Sequence, residues 1–381
     1  MKDLSLYIHI PFCKQACHYC DFHFSTNRQL TRQLCEAIAK ELELQKNYLQ
    51  DETLNTIYLG GGTPSLLSLK ELEIIFNAIS SHYRISSDPE ITLEANPDDL
   101  TPGRLSELRQ VGVNRLSIGI QSFDPIVLKF LNRAHDAQSA LECVKLARDA
   151  GFQNLSIDLI YSIPGQDNEA WKKNLAQAIA LSPEHISSYS LSIEEKTAFG
   201  QWHRSGKLKA TDEEIAAQQF EILMEELEQA GYEHYEISNF SKPGFHSRHN
   251  SSYWEQQNYL GIGPSAHSYN GSTRQFNVHN NHLYLKSIQE SKIPFELEVL
   301  TSANKINENI FTTLRTNKGC DLMKLVEDHK YDIRTKNPGY LKNILEYKLA
   351  VLDHNILKLT RSGKLLADKI TSDLFAEEDQ I

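Results

Sequence analysis

Tyr7-Ile8-His9-Ile10-Pro11-Phe12-Cys13-Lys14-Gln15-Ala16-Cys17-His18-Tyr19-Cys20-Asp21-Phe22 is the stretch on which the reading of this chain turns. Leu4 to Ile10 is a short apolar run that reads as a strand and stops at Pro11, which has no N–H to extend a ladder. Cys13, Cys17 and Cys20 then follow within one loop. Three thiols this close together point to a metal centre.

Downstream, the same unit of apolar run, loop and amphipathic helix recurs. Helical periodicity spans Leu30 to Leu49, and a second strand, Thr56 to Leu59, runs into Gly60-Gly61-Gly62-Thr63-Pro64. Ser68-Leu69-Lys70-Glu71 has the form of a capping box opening the next helix. Ile91 to Ala95 predicts a third strand, with Thr101-Pro102 starting its helix. Asn114 to Ile120 predicts a fourth, followed by a helix start at Asp124-Pro125. Asn154 to Ile163, a helix over Glu169 to Leu181, and Ile186 to Leu191 complete six strands. Such alternation predicts the α/β class with parallel βαβ units. It leaves open a partial barrel or a doubly wound sheet; in both, ligands collect where strands end.

The rhythm changes after about Ser192. Thr211-Asp212-Glu213-Glu214 reads as a second capping box, on a helix running to about Ala230. Tyr232 to Ser291 is rich in Gly, Asn, His and aromatics, and short runs at His234 to Ile237 and Gln275 to Val278 predict extra strands on the sheet edge. Beyond Leu300 the pattern is mostly helical, with a small hairpin at Ile356 to Thr360 and Gly363-Lys364, which suggests a winged-helix-like domain. A frayed acidic tail is expected over Ala376 to Ile381. The expected units are 1–195, 196–298 and 299–381.

With 381 residues, 40% apolar and 23% charged, the composition is that of an ordinary globular protein. A formal net charge of -11 argues against broad nucleic-acid binding. No apolar run approaches the roughly 18 residues of a membrane span, and no early stretch has the form of a secretory signal. The expectation is a cytoplasmic protein with at most peripheral membrane contact. Cys35, Cys143 and Cys320 are scattered singly, unlike a disulfide framework.

For Cys13, Cys17 and Cys20 three readings compete, of which a disulfide is disfavoured by the odd count and the expected compartment. Structural zinc would need a fourth ligand, from His18 or His23. An iron-sulfur cubane held by three thiolates would keep one iron open to a non-protein ligand. The glycine run is either a tight βα turn or a place where the backbone approaches a ligand with its amides exposed. Glu94, Gln121 and Asp158 sit in or end apolar runs. An acid there must find a partner, because burying an unpaired charge is costly.

The Cys13-x-x-x-Cys17-x-x-Cys20 spacing after a first strand resembles the signature of the radical S-adenosylmethionine enzymes. The resemblance implies a partial (β/α)6 radical-SAM barrel, here with an added β-rich segment and a small, mainly helical C-terminal domain. It also implies a 4Fe-4S cluster on the three cysteines, with S-adenosylmethionine chelated by the fourth iron. Tyr19 matches the aromatic that packs on the adenine, and Gly61, Gly62, Thr63 and Glu94 match contacts to the methionine amino group. Gln121 and Asp158 match the ribose contacts, Arg133 the carboxylate partner, and Tyr7 a further contact.

From about residue 4 to 370 the chain resembles the branch containing oxygen-independent coproporphyrinogen III dehydrogenase. That enzyme has a fourth cysteine where this chain has Phe22. The difference points to the HemW-type heme chaperones, which bind heme and deliver it to target proteins such as respiratory enzymes. His249-Asn250-Ser251-Ser252-Tyr253-Trp254 matches their His-Asn-x-x-Tyr-Trp motif, implicated in heme binding. His249 would ligate iron, with Tyr253 and Trp254 offering flat faces to the macrocycle and His246 and Arg248 as nearby alternatives. Oxidative decarboxylation of coproporphyrinogen III and a zinc-stabilised binding protein are the competing expectations.

Overall fold

The computed structural model describes residues 4–48 and 53–378. Six parallel strands form where the apolar runs lie: β1 Leu4–Ile10, β2 Thr53–Gly61, β3 Arg84–Ala95, β4 Arg115–Gln121, β5 Asn154–Tyr161 and β6 His185–Ser190. They neighbour one another in chain order, with no reversal. A doubly wound sheet reverses its strand order at a switch point, so the sequential order decides for the partial barrel. Helices α1 Thr31–Leu44, α2 Leu69–His82, α3 Pro102–Gln110, α4 Pro125–Phe130, α5 Ala137–Asp149 and α6 Asn168–Leu181 connect them. α1 ends short of the expected Leu49, and residue 49 lies outside the described residues.

The capping predictions have mixed outcomes. Ser68 and Glu71 form the reciprocal box on α2, and Thr101 and Asp124 cap α3 and α4. Two further helices follow β6, α7 Ala198–Arg204 and α8 Glu213–Gln229. Asp212 caps α8 by accepting from Glu214 N, while the Thr211 hydroxyl donates to Ser162 O at 2.7 Å, so no box forms there.

A period of two runs through the barrel strands. Leu6, Ile8, Ile57, Leu59, Leu116, Ile118, Leu155 and Ile157 are fully buried in the main core. The alternate positions are Tyr7, Tyr58, Thr92, Glu94, Arg115, Ser117, Asp158 and Ser187. Parallel strands are usually apolar on both faces. Here only one face is apolar, so the concave side forms a polar chamber and not a dry core.

The β-rich extension lies on both edges of the sheet and not on one as expected. β7 Glu233–Glu236 and β8 Asn239–Ser241 add antiparallel to β6. Across the sheet, β9 Tyr259–Ile262 pairs parallel with β1, and β10 His267–Tyr269, β11 Thr273–Asn277 and β12 Phe295–Val299 continue outward. Between the two sets, α9 Arg248–Trp254 contacts β1 and β2. α10 Asn281–Gln289 packs on α1.

A second apolar core gathers α11 Ser302–Leu314 with the helices and three short strands that follow. The expected hairpin is displaced by one element. Ile356–Leu359 pairs with the preceding Ala350–Asp353, and Arg361–Lys364 is a helical turn capped by Thr360. The expected tail begins firmly held, since Ala376 N donates to Asn307 Oδ1 and Ala376 O accepts from Asn307 Nδ2; residues 379–381 lie outside the described residues. Among the described residues no helix is long and apolar enough to cross a membrane.

One buried carboxylate ties the outer extension to the barrel. Glu41 of α1 accepts from Gly263 N at 2.8 Å, Asn277 Nδ2 at 2.8 Å, Tyr284 OH at 2.5 Å and Gln45 Nε2 at 3.1 Å. Removing it leaves buried donors unsatisfied at about 1–3 kcal/mol each. Glu41→Ala is therefore expected to lower the unfolding free energy by at least about 3 kcal/mol in urea denaturation; a loss below about 1 kcal/mol would show that the network does not hold the extension.

Candidate functional site

The cysteine loop leaves β1 and is held from both sides. Cys13 N donates to Ser25 O, and Ser25 N to Pro11 O. Behind it, His18 N donates to Leu131 O, Asn132 Nδ2 to Ala16 O at 2.7 Å, and Gln15 Nε2 to Asn132 Oδ1 at 2.6 Å. Cys13, Cys17 and Cys20 are free, half-buried, and line one cavity of about 550 Å³. Thr63 Oγ1 lies 3.5 Å from Cys13 Sγ, and Arg133 Nη1 lies 3.3 Å from Cys17 Sγ. Burial pushes the Cys13 thiol up and Cys20 up to about 12. Loading a metal centre here must therefore displace protons.

The two histidines that could complete a zinc tetrahedron each have one ring nitrogen engaged elsewhere. His18 Nδ1 is bonded to Phe130 O, with its ring against Trp202, and His23 Nε2 is bonded to Asn281 Oδ1. Among the described residues no three His, Cys, Asp or Glu side chains converge to hold a single ion.

The cavity also gathers Tyr19, Gly61, Gly62, Thr63, Glu94, Gln121, Arg133 and Asp158. Glu94 accepts from Tyr58 OH at 2.8 Å and Gly61 N at 3.1 Å, yet burial raises its pKa to about 7. Burial likewise raises Asp158 to about 6 against the opposing pull of Arg115. Arg133 Nη2 donates to Asn96 Oδ1 and Gly119 O, and its Nε is buried without a partner. Gln121 ends β4 at φ 66, a left-handed conformation that is uncommon for a side-chain-bearing residue and that concentrates at functional sites.

The glycine run acts differently from the expectation of exposed amides. Gly62 N donates to Ile10 O and Thr63 N to Phe12 O, which clamps the cysteine loop. A Cβ on Gly61 would meet the His9 ring at 2.5 Å, and one on Gly62 would meet Phe12 O at 2.7 Å. Glycine is thus required at 62 for the close approach of two backbones and at 61 to leave room for the His9 ring.

A second cavity, of about 840 Å³, opens between the outer extension and α11. Tyr7 lines this one and not the first, with its hydroxyl 3.0 Å from His9 Nδ1. Tyr253 and Trp254 line it too, whereas His249 lines neither. α9 is inserted beneath the chamber: Glu90 accepts the N–H groups of Arg248 and His249, and the His249 ring stacks on Tyr58 at 4.9 Å. His249 is 1% exposed, with Nδ1 2.7 Å from Thr56 Oγ1 and Nε2 2.9 Å from Tyr253 OH. Both ring nitrogens are occupied, and burial lowers its pKa to about 3. His246 pairs with Glu233, and Arg248 faces Asp88.

Residues 7–178 match the model of the Radical SAM superfamily. The heme chaperone HemW of Bacillus subtilis (strain 168) is 36% identical over 376 residues, covering 98% of this chain and 99% of that one. This chain belongs to the HemW family of radical SAM proteins. HemW of Escherichia coli (strain K12) is 39% identical over 269 residues, 70% of each chain. The structure of coproporphyrinogen III oxidase (HemN) from Escherichia coli, described as a radical SAM enzyme, superposes with a TM-score of 0.85 at 24% identity, covering 98% of this chain and 90% of that one. That likeness shows a shared fold.

In this HemW-family chain several lining residues escape sequence reading. Asn96, Arg115, Ser117 and Ser187 complete the polar chamber, and the strand period of two could have found the last three. His267 and Arg274 reach the second cavity from β10 and β11, in a segment with no motif. Asp21 and Phe22 line both cavities.

Glu94 supplies a pH test on the ligand-free protein. Its folded pKa is raised from 4.5 to about 7, so its contribution to stability declines as pH rises between those values and levels off above them. Glu94→Gln removes an ionisation that costs stability only at the upper end. The melting temperature of the variant relative to wild type is therefore expected to rise between pH 5 and pH 8. A difference independent of pH would contradict this assignment.

Proposed function

We propose that this HemW-family chain is a heme chaperone that carries a 4Fe-4S cluster on Cys13, Cys17 and Cys20, binds S-adenosylmethionine beside it, and passes heme to acceptor proteins. One observation carries the reading: the three thiols and the polar strand ends share a cavity that adjoins, across Asp21 and Phe22, a larger one rich in aromatic side chains. The donor set suits a cluster, since three soft sulfurs face the same space and Arg133 offsets their charge. When bound, the cluster would supply one-electron reduction of the sulfonium. Glu94, raised toward neutrality while empty, would lose its proton to hold the cofactor ammonium, and the Arg133 guanidinium would meet its carboxylate. Asp158 and Gln121 would accept from the ribose hydroxyls. Tyr19, with its hydroxyl toward Arg133, would cover the adenine.

The same adjacency supports a second reading, decarboxylation of coproporphyrinogen III, because a porphyrinogen in the aromatic cavity would lie next to the cofactor. Phe22, where the dehydrogenase has cysteine, favours the chaperone.

Anaerobically reconstituted protein is expected to bind heme stoichiometrically and to form no protoporphyrinogen from coproporphyrinogen III and S-adenosylmethionine. Steady turnover would overturn the chaperone assignment. Cys17→Ala is expected to lose iron and sulfide on reconstitution while keeping its circular dichroism spectrum; retained iron and sulfide would place the cluster elsewhere.

A further inference from the structure

The second cavity has the size of a small-molecule site, which typically spans about 300–1,000 Å³. Its walls offer aromatic faces from Tyr253, Trp254, Tyr259 and Phe311. Heme iron needs an imidazole nitrogen that is not already spent. Four histidines reach this cavity. His9 uses both nitrogens, on Tyr7 OH and His23 O. His23 spends Nε2 on Asn281 and His279 spends Nδ1 on Ser265, so each keeps a single ring nitrogen. His267 makes no hydrogen bond through either ring nitrogen among the described residues, and its ring meets Phe276 edge-on at 4.7 Å. Its pKa is lowered by partial burial and by His279 and Arg274.

Arg274 stands on the strand paired with that of His267, opposite Tyr269. Its Nη2 lies 2.9 Å from Glu308 Oε1, and its Nε is buried with no partner. The guanidinium therefore has unused donors in a fork that suits a carboxylate. Glu308 and Asp21 are the acids facing this cavity, and burial raises Glu308 above its ordinary value.

We infer that heme is held in this cavity with His267 as the axial ligand to iron and Arg274 as the partner of a propionate, His249 being a positioning residue that fixes α9 and Tyr253. The inference rests on the heme-binding reading above. The antiparallel pair β10–β11 thus carries both polar contacts, while the Tyr253-Trp254 end of the motif supplies apolar faces.

The test titrates hemin into cluster-loaded wild type, His267→Ala, His279→Ala, Arg274→Gln and His249→Ala, reading the Soret band and the electron paramagnetic resonance of the ferric iron. His267→Ala is expected to weaken binding by at least about tenfold, to change the ligand-field spectrum, and to regain the wild-type spectrum with added imidazole. Arg274→Gln should weaken binding with an unchanged spectrum. His249→Ala should keep the wild-type iron spectrum, even if less stable. A wild-type spectrum in His267→Ala, or a ligand change in His249→Ala or His279→Ala, overturns the assignment. Failure of wild type to bind hemin at all refutes the heme reading itself.

Discussion

Charge held inside a curved sheet is the condition on which this structure depends. Glu94, Arg115, Arg133 and Asp158 stand on or above the concave face, where water is scarce and each must be answered by a neighbour. Tyr58 and the Gly61 amide answer Glu94; Ser117 answers Asp158; Asn96, Gly119 O and Cys17 answer Arg133. The two acids still carry raised pKa values, so these neighbours compensate their burial only in part. A ligand bearing both an ammonium and a carboxylate would complete what the side chains leave unfinished.

The cysteine loop depends on the same arrangement. Arg133 reaches it because α4 ends at Phe130 and the chain turns through Asn132 at φ 58. That turn hydrogen-bonds Gln15 and Ala16 on one side and presents the guanidinium to Cys17 on the other. The glycine run closes the opposite flank with two backbone bonds. The loop is thus positioned by two segments, neither of them next to it in sequence.

Much of the barrel was legible because it obeys local rules. Apolar runs bounded by Gly, Pro and helix caps mark β1 to β6 closely except at the start of β3, which begins at Arg84 and not at Ile91, and Ser68, Thr101 and Asp124 cap where expected. What stayed hidden depended on tertiary pairing. Nothing local tells β9 to add to β1 while β8 adds to β6, since both are short strands whose partners lie far away in sequence. Thr211 looked like a cap until Ser162 O claimed its hydroxyl. His249 matches a motif tied by resemblance to heme ligation; as part of α9 beneath the polar chamber it is held by Thr56 and Tyr253, and a motif match does not report which way a ring faces.

Phe22 is 73% exposed, yet it lines both cavities. A side chain shared by two binding spaces is a thermodynamic link between them. Whatever rotamer preference one occupant imposes on Phe22 alters the affinity for the other occupant, and reciprocity makes the coupling equal in both directions. A cysteine at this position would be smaller and could itself bind metal. The phenyl ring instead sets an exposed apolar face on the wall common to the two cavities, so that any occupant of one would share a contact with an occupant of the other.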